Sequence, residues 1–142
     1  MELHFDDIVV RGLRGYVQQV SQALGLRGEC SYLHTEEPAS AYIALDGELR
    51  AFPGQDVALL WDETHGWAIA IEPNSGADLL VVARLGQDVL PLPETVAAWT
   101  KRLFGQNPIP DPGDRPNPPR GDVRRRLATY AAATFLTTPS ST

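Results

Sequence analysis

Apolar residues recur at intervals of three and four along the first part of the chain, at Val9, Leu13, Tyr16, Val17, Val20 and Leu24. That spacing puts them on one face of a helix and predicts one over residues 7–24. Asp6 or Asp7 can cap its start, and Gly25 can supply the left-handed residue at its end. Gly12 and Gly15 fall inside this helix, where each costs about 1 kcal/mol relative to alanine. A close-packed strand or a neighbouring subunit is the expected compensation.

Between residues 29 and 85 the period shifts toward two. Strands are predicted over 29–35, 41–45, 56–62, 66–72 and 78–85, separated by Glu-Glu-Pro, Pro-Gly, Glu-Thr-His and Pro-Asn-Ser-Gly. Short connections imply antiparallel neighbours. Val57, Leu59 and Trp61 share one face of their strand, as do Trp67, Ile69 and Ile71, so two tryptophans flank one hairpin turn. Ala58, Leu60, Ala68 and Ala70 make the opposite face too apolar for open water, and their small size predicts a helix lying close upon it.

Proline at the first helical position opens a second helix over 93–104, which Gly105 closes, with Leu92, Val96, Trp99 and Leu103 as its buried stripe. Six prolines then fall within the twelve positions from Pro108 to Pro119, which predicts an extended spacer. Beyond it Asp122 can cap a third helix reaching about Leu136, with Val123, Leu127, Tyr130, Ala131 and Phe135 along one side. A helix this short is marginal alone in water, so its apolar side must be buried on its own body, on another subunit or on a partner.

Charge divides at the same place. Residues 1–105 carry net −8 and residues 106–142 net +2, within a total of −6 over 142 residues. This balance argues against a nucleic-acid binder and does not favour anionic lipid. The acidic start lacks the positive region of a secretory signal, and apolar runs such as 79–83 are too short to cross a bilayer. One cysteine, Cys30, permits no internal disulfide. A cytoplasmic location is the expectation.

The stretch from Asp56 to Trp99, together with the upstream Gly12-to-Leu26 helix, resembles a family of small actinobacterial proteins of unknown function. The likeness covers residues 8–104, and its most recognisable element is Trp61-Asp62-x-x-His65-Gly66-Trp67 followed by Ile71-Glu72. It implies no activity, cofactor or catalytic residue. The order of one helix, five strands and one helix also looks like secretion-chaperone folds, which bind protein clients; that is an analogy of fold alone.

The hairpin holds the densest chemistry. Asp62, Glu63, His65 and Glu72 can act as metal ligands or as general acid and base, with Trp61 and Trp67 as pocket walls. The competing reading is solvated turn chemistry beside sheet packing, with Gly66 at positive φ. His4 and His34 are isolated, Cys30 has no neighbouring cation, and neither a nucleophile elbow nor a phosphate-binding loop is present. No metal site and no cofactor are implied. Arg124, Arg125 and Arg126 occupy the first turn of the third helix, where the macrodipole disfavours positive charge, so a compensating anion is required. The acidic body, that of another subunit, a separate acidic protein, phosphate, or local pairing with Asp122 can each supply it.

The sequence thus predicts an α+β fold: an antiparallel sheet of about five strands packed by two helices (residues 1–105), a proline-rich linker (106–120), and a docking helix with a disordered end (121–142). The expected function is a noncatalytic protein-interaction module, an adaptor, regulator or chaperone-like protein, forming a homodimer and binding a cytoplasmic protein. Trp61, Asp62, His65, Trp67 and Glu72 are its candidate ligand or partner surface. Arg124, Arg125, Arg126, Leu127, Tyr130 and Phe135 are its docking residues. A small enzyme or ligand-binding protein with a pocket near Trp61 and His65 is the alternative, and an accessory to a DNA-binding regulator, acting through protein contacts, is a third.

Overall fold

In the computed structural model, three helices lie on one face of a five-stranded antiparallel sheet. The structure describes residues 5–26, 31–36, 38–72, 78–86, 88–110 and 123–136. His4, Glu29, Cys30, Arg120, Asp122, most of the proline-rich segment and the side chain of Phe135 lie outside the described residues.

In chain order the elements are α1 (Phe5–Ala23), β1 (Ser31–His34), β2 (Ser40–Leu45), β3 (Asp56–Asp62), β4 (Gly66–Glu72), β5 (Leu80–Arg84), α2 (Pro93–Phe104) and α3 (Val123–Leu136). The sheet is a meander in the order β1-β2-β3-β4-β5, every pair antiparallel, as short turns between alternating strands require. The expected α+β class therefore stands, with β3, β4 and α2 at their expected bounds.

Trp61 pairs directly with Trp67, Leu59 with Ile69 and Val57 with Ile71, so the large side chains of the central hairpin share one face. Val9, Leu13, Tyr16, Val17 and Val20 of α1, Val96, Trp99 and Leu103 of α2, and Val123 and Leu127 of α3 join them in a single buried cluster. Trp61 and Trp67 are essentially without solvent contact, and each indole N–H has an acceptor: Val89 O for Trp61 at 2.6 Å, the Tyr16 hydroxyl for Trp67 at 3.0 Å.

Four local expectations are corrected. The cap foreseen at Asp6 or Asp7 is displaced, because α1 already runs from Phe5. Leu92 is 62% exposed and not part of the α2 stripe: it precedes Pro93, and its carbonyl accepts the Thr95 and Val96 amides. The compensation for Gly12 is neither a strand nor a second subunit but the backbone of α3, since a Cβ on Gly12 would stand 1.7 Å from the Leu127 carbonyl oxygen.

The fourth concerns the alanine face. Register aligns Tyr32, Tyr42, Leu60, Ala68 and Arg84 in one row across the sheet, and Ala44, Ala58, Ala70 and Val81 in the next. The apolar stripes of all three helices are committed to the tryptophan face, so no helix among the described residues covers these rows. Ala58, Ala68 and Ala70 are buried, while Tyr42, Leu60 and Val81 are half-buried and Tyr32 is 69% exposed.

At the other end of α1, Gly25 has φ +77, with Leu26 N–H donating to Ser21 O and Gly25 N–H to Gln22 O. This is a Schellman closure, and only a residue tolerant of positive φ fits its centre.

Candidate functional site

Two clusters of chemistry foreseen in the sequence meet in space, through a pairing that the sequence alone does not specify. The β3–β4 turn holds Asp62, Glu63, Thr64 and His65. Asp62 Oδ1 accepts the Thr64 amide at 2.8 Å and the His65 amide at 2.6 Å, and the imidazole Nδ1 lies 3.1 Å from both carboxylate oxygens. An Asp that receives the turn amides in this way is shaping backbone. The pair is well exposed, at 46% for His65 and 36% for Asp62, so it adds little to stability.

Glu72 lies at the far end of β4, opposite Asp56 and six residues from Gly66, roughly 20 Å along the strand. It does not join the turn. A cleft of about 260 Å³ beside Trp61 and Asp62 is lined by Tyr32, Ser40, Ala41, Tyr42 and Leu60, and includes neither His65 nor Trp67. Among the described residues no group of three or more His, Cys, Asp or Glu is placed to hold a metal ion.

Glu63 departs most from a solvated turn. It is only 5% exposed. Its Oε1 accepts the Ala39 amide at 2.6 Å and Arg124 Nη2 at 2.9 Å, and its Oε2 accepts Arg124 Nε at 3.3 Å. The fork of Arg124 thus grips a carboxylate 61 residues earlier in the chain. Two residues on, Arg126 donates from Nη1 to Asp88 Oδ1 at 3.0 Å, and from Nη2 to Asp88 Oδ2 and Leu90 O, both at 2.8 Å. Arg125, between them, is exposed. The anions required by the first turn of α3 are therefore the body's own carboxylates.

The apolar side of α3 completes the contact. Val123 and Leu127 are 2% and 1% exposed, and the Tyr130 ring meets the Tyr16 ring edge-on with centroids 4.8 Å apart. Tyr16 is the hub: its hydroxyl donates to Pro91 O and accepts from Trp67 Nε1. Burial pushes its pKa well above the usual phenol range, and burial likewise raises that of Tyr130. These tyrosines are structural at neutral pH.

The Arg126 hydrogen bonds hold Asp88 below its ordinary value of 3.8, against a smaller opposing effect of burial, and Asp88 in turn raises Arg126. A carboxyl group with a depressed folded-state pKa contributes stability above its unfolded value and loses it as pH falls through the folded one. We therefore expect the hold on the first turn of α3 to weaken modestly below about pH 4, because Arg126 and Asp88 are 42% and 43% exposed and solvent screens their contact. Amide exchange followed against pH reads this as protection lost first from residues 123–136.

The fold and contacts define a single-layer antiparallel meander backed by three helices, the last seated on the first at a glycine notch and held to the β3–β4 turn and to Asp88 by two arginine–carboxylate forks. The chain belongs to DUF6292, a family of unknown function, whose model matches residues 16–102. The match takes in the sheet, most of α2 and the second half of α1, and stops short of α3 and its Gly12 notch. No curated protein and no solved structure matches the chain. No helix among the described residues is long and apolar enough to cross a membrane.

Proposed function

We propose that this protein is a noncatalytic protein-interaction module of the actinobacterial cytoplasm, acting as an adaptor, regulator or chaperone-like partner. The observation that carries the reading is the asymmetry of the sheet. One face is sealed by three helices, whereas the row Tyr32, Tyr42, Leu60 and the neighbouring Val81 presents partly exposed apolar surface with no helix over it among the described residues. Tyrosine and aliphatic side chains exposed together on one face are the composition of a docking surface.

The tail has a different part in this reading from the one its sequence suggests. Val123, Leu127 and Tyr130 of α3 and two of that helix's three arginines are engaged on the body, so among the described residues the open sheet face is the surface left for a partner, either a second copy of this chain or another cytoplasmic protein. The turn residues Asp62 and Glu63 are occupied in holding backbone and α3, which gives the enzyme alternative no observation of its own.

Leu60→Asp and Tyr32→Asp place charge on that face while leaving the sealed one untouched. Light scattering over a concentration series, and pull-down from the native host, are compared between these variants and the wild type. The reading expects dimer formation or a specific captured protein in the wild type, lost in both variants. A wild type that stays monomeric and captures nothing, or variants that behave as the wild type does, overturn it.

A further inference from the structure

Away from both the hairpin and the open sheet face, the C-terminal ends of α1 and α2 meet the end of β2 around a cleft of about 290 Å³. Leu24, Leu26, Leu45 and Phe104 line it, each half-buried against the core, so its floor is apolar. At its mouth stand Lys101 and Asp46, both exposed. Lys101 Nζ donates to Ala23 O at 3.3 Å, capping the last carbonyl of α1, and has no carboxylate partner among the described residues. Asp46 has no cationic partner among them either, and the two do not pair with each other. Among the described residues the cleft therefore combines an apolar floor, an ammonium without an anion and a carboxylate without a cation.

We infer that this cleft binds a free apolar α-amino acid, with Lys101 receiving its carboxylate, Asp46 its ammonium, and the leucine and phenylalanine floor its side chain. At about 290 Å³ the cleft is at the small end of ligand pockets, and leucine or phenylalanine fits within it. The charges select for a zwitterion, because a simple acid leaves Asp46 unanswered and a simple amine leaves Lys101 so. Both charged groups reach water, so each contact is weakened by solvent and the affinity expected is on the order of 1 mM or somewhat tighter.

The test is calorimetric or ligand-observed NMR titration of the full chain with L-leucine, L-phenylalanine, 4-methylpentanoate and 3-methylbutylamine. Leucine or phenylalanine is expected to saturate, with the acid and the amine binding about tenfold more weakly or less. Lys101→Gln should weaken leucine about tenfold while leaving the amine unaffected, and Asp46→Asn should weaken leucine while leaving the acid unaffected. Both positions are exposed, so circular dichroism should report an unchanged fold. Failure of both amino acids to saturate up to their solubility limits overturns the assignment. So does an acid or amine that binds as tightly as leucine, or a leucine affinity that neither substitution alters.

Discussion

Gly12→Ala is expected to destabilise the protein by about 3 kcal/mol or more and to release α3 from the body. On helix propensity alone the change should stabilise, by about 1 kcal/mol, because alanine replaces glycine inside α1. The notch decides otherwise. The new Cβ would lie 1.7 Å from the Leu127 carbonyl oxygen and 2.4 Å from its carbon, and these are backbone atoms that cannot swing aside. Moving α3 away re-exposes Val123 and Leu127, each worth about 1.5–3 kcal/mol when fully buried. Denaturant unfolding gives the loss, and amide exchange should show residues 123–136 unprotected while the sheet stays protected. Arg14→Ala, on the exposed side of the same helix, is the control and should change stability by less than about 0.5 kcal/mol. A Gly12→Ala protein as stable as the wild type would mean that α3 does not cross α1 at this point.

Glu63→Ala carries the second large effect, about 3 kcal/mol, from a position that a surface-turn reading would rank as harmless. The substitution removes the acceptor of the buried Ala39 amide and both hydrogen bonds that Arg124 makes to this carboxylate. Glu63→Gln separates the two parts. Its amide oxygen can still receive the Ala39 N–H, so it should cost roughly half as much, the remainder reporting the ionic contact with Arg124. Equilibrium unfolding of the two variants measures both. Equal and negligible losses would show that the turn carboxylate is solvated, as turn acids usually are.

These two positions also show where the sequence was legible. Periodicity found β3, β4 and α2 to the residue, because each is bounded by turn residues or a proline and carries an unmixed pattern. It also placed Trp61 and Trp67 on one face, since alternation is a local property. What alternation does not encode is the layer that comes to rest on each face. The alanines of β3 and β4 suggested a helix above them, but all three helices had stronger stripes to bury against the tryptophans.

Similarly, three arginines at a helix start announced the need for an anion without naming it. Glu63 and Asp88 lie 61 and 38 residues away in sequence, and only the packing of α3 on α1 brings them within reach. Glycine inside α1 was a readable sign of close approach. The neighbour proved to be a later element of the same chain. Glu72, grouped with His65 by sequence proximity, is separated from it by the full length of β4.

That α3 folds back onto the α1 of its own chain is open to test by isotope-filtered NMR. A uniformly labelled sample should show nuclear Overhauser contacts between the Tyr16 and Tyr130 rings, whose centroids stand 4.8 Å apart. In an equimolar mixture of labelled and unlabelled chains, the same contacts should be wholly intramolecular. Absence of the contacts, or their appearance between differently labelled chains, would show that α3 does not pack on the α1 of its own chain.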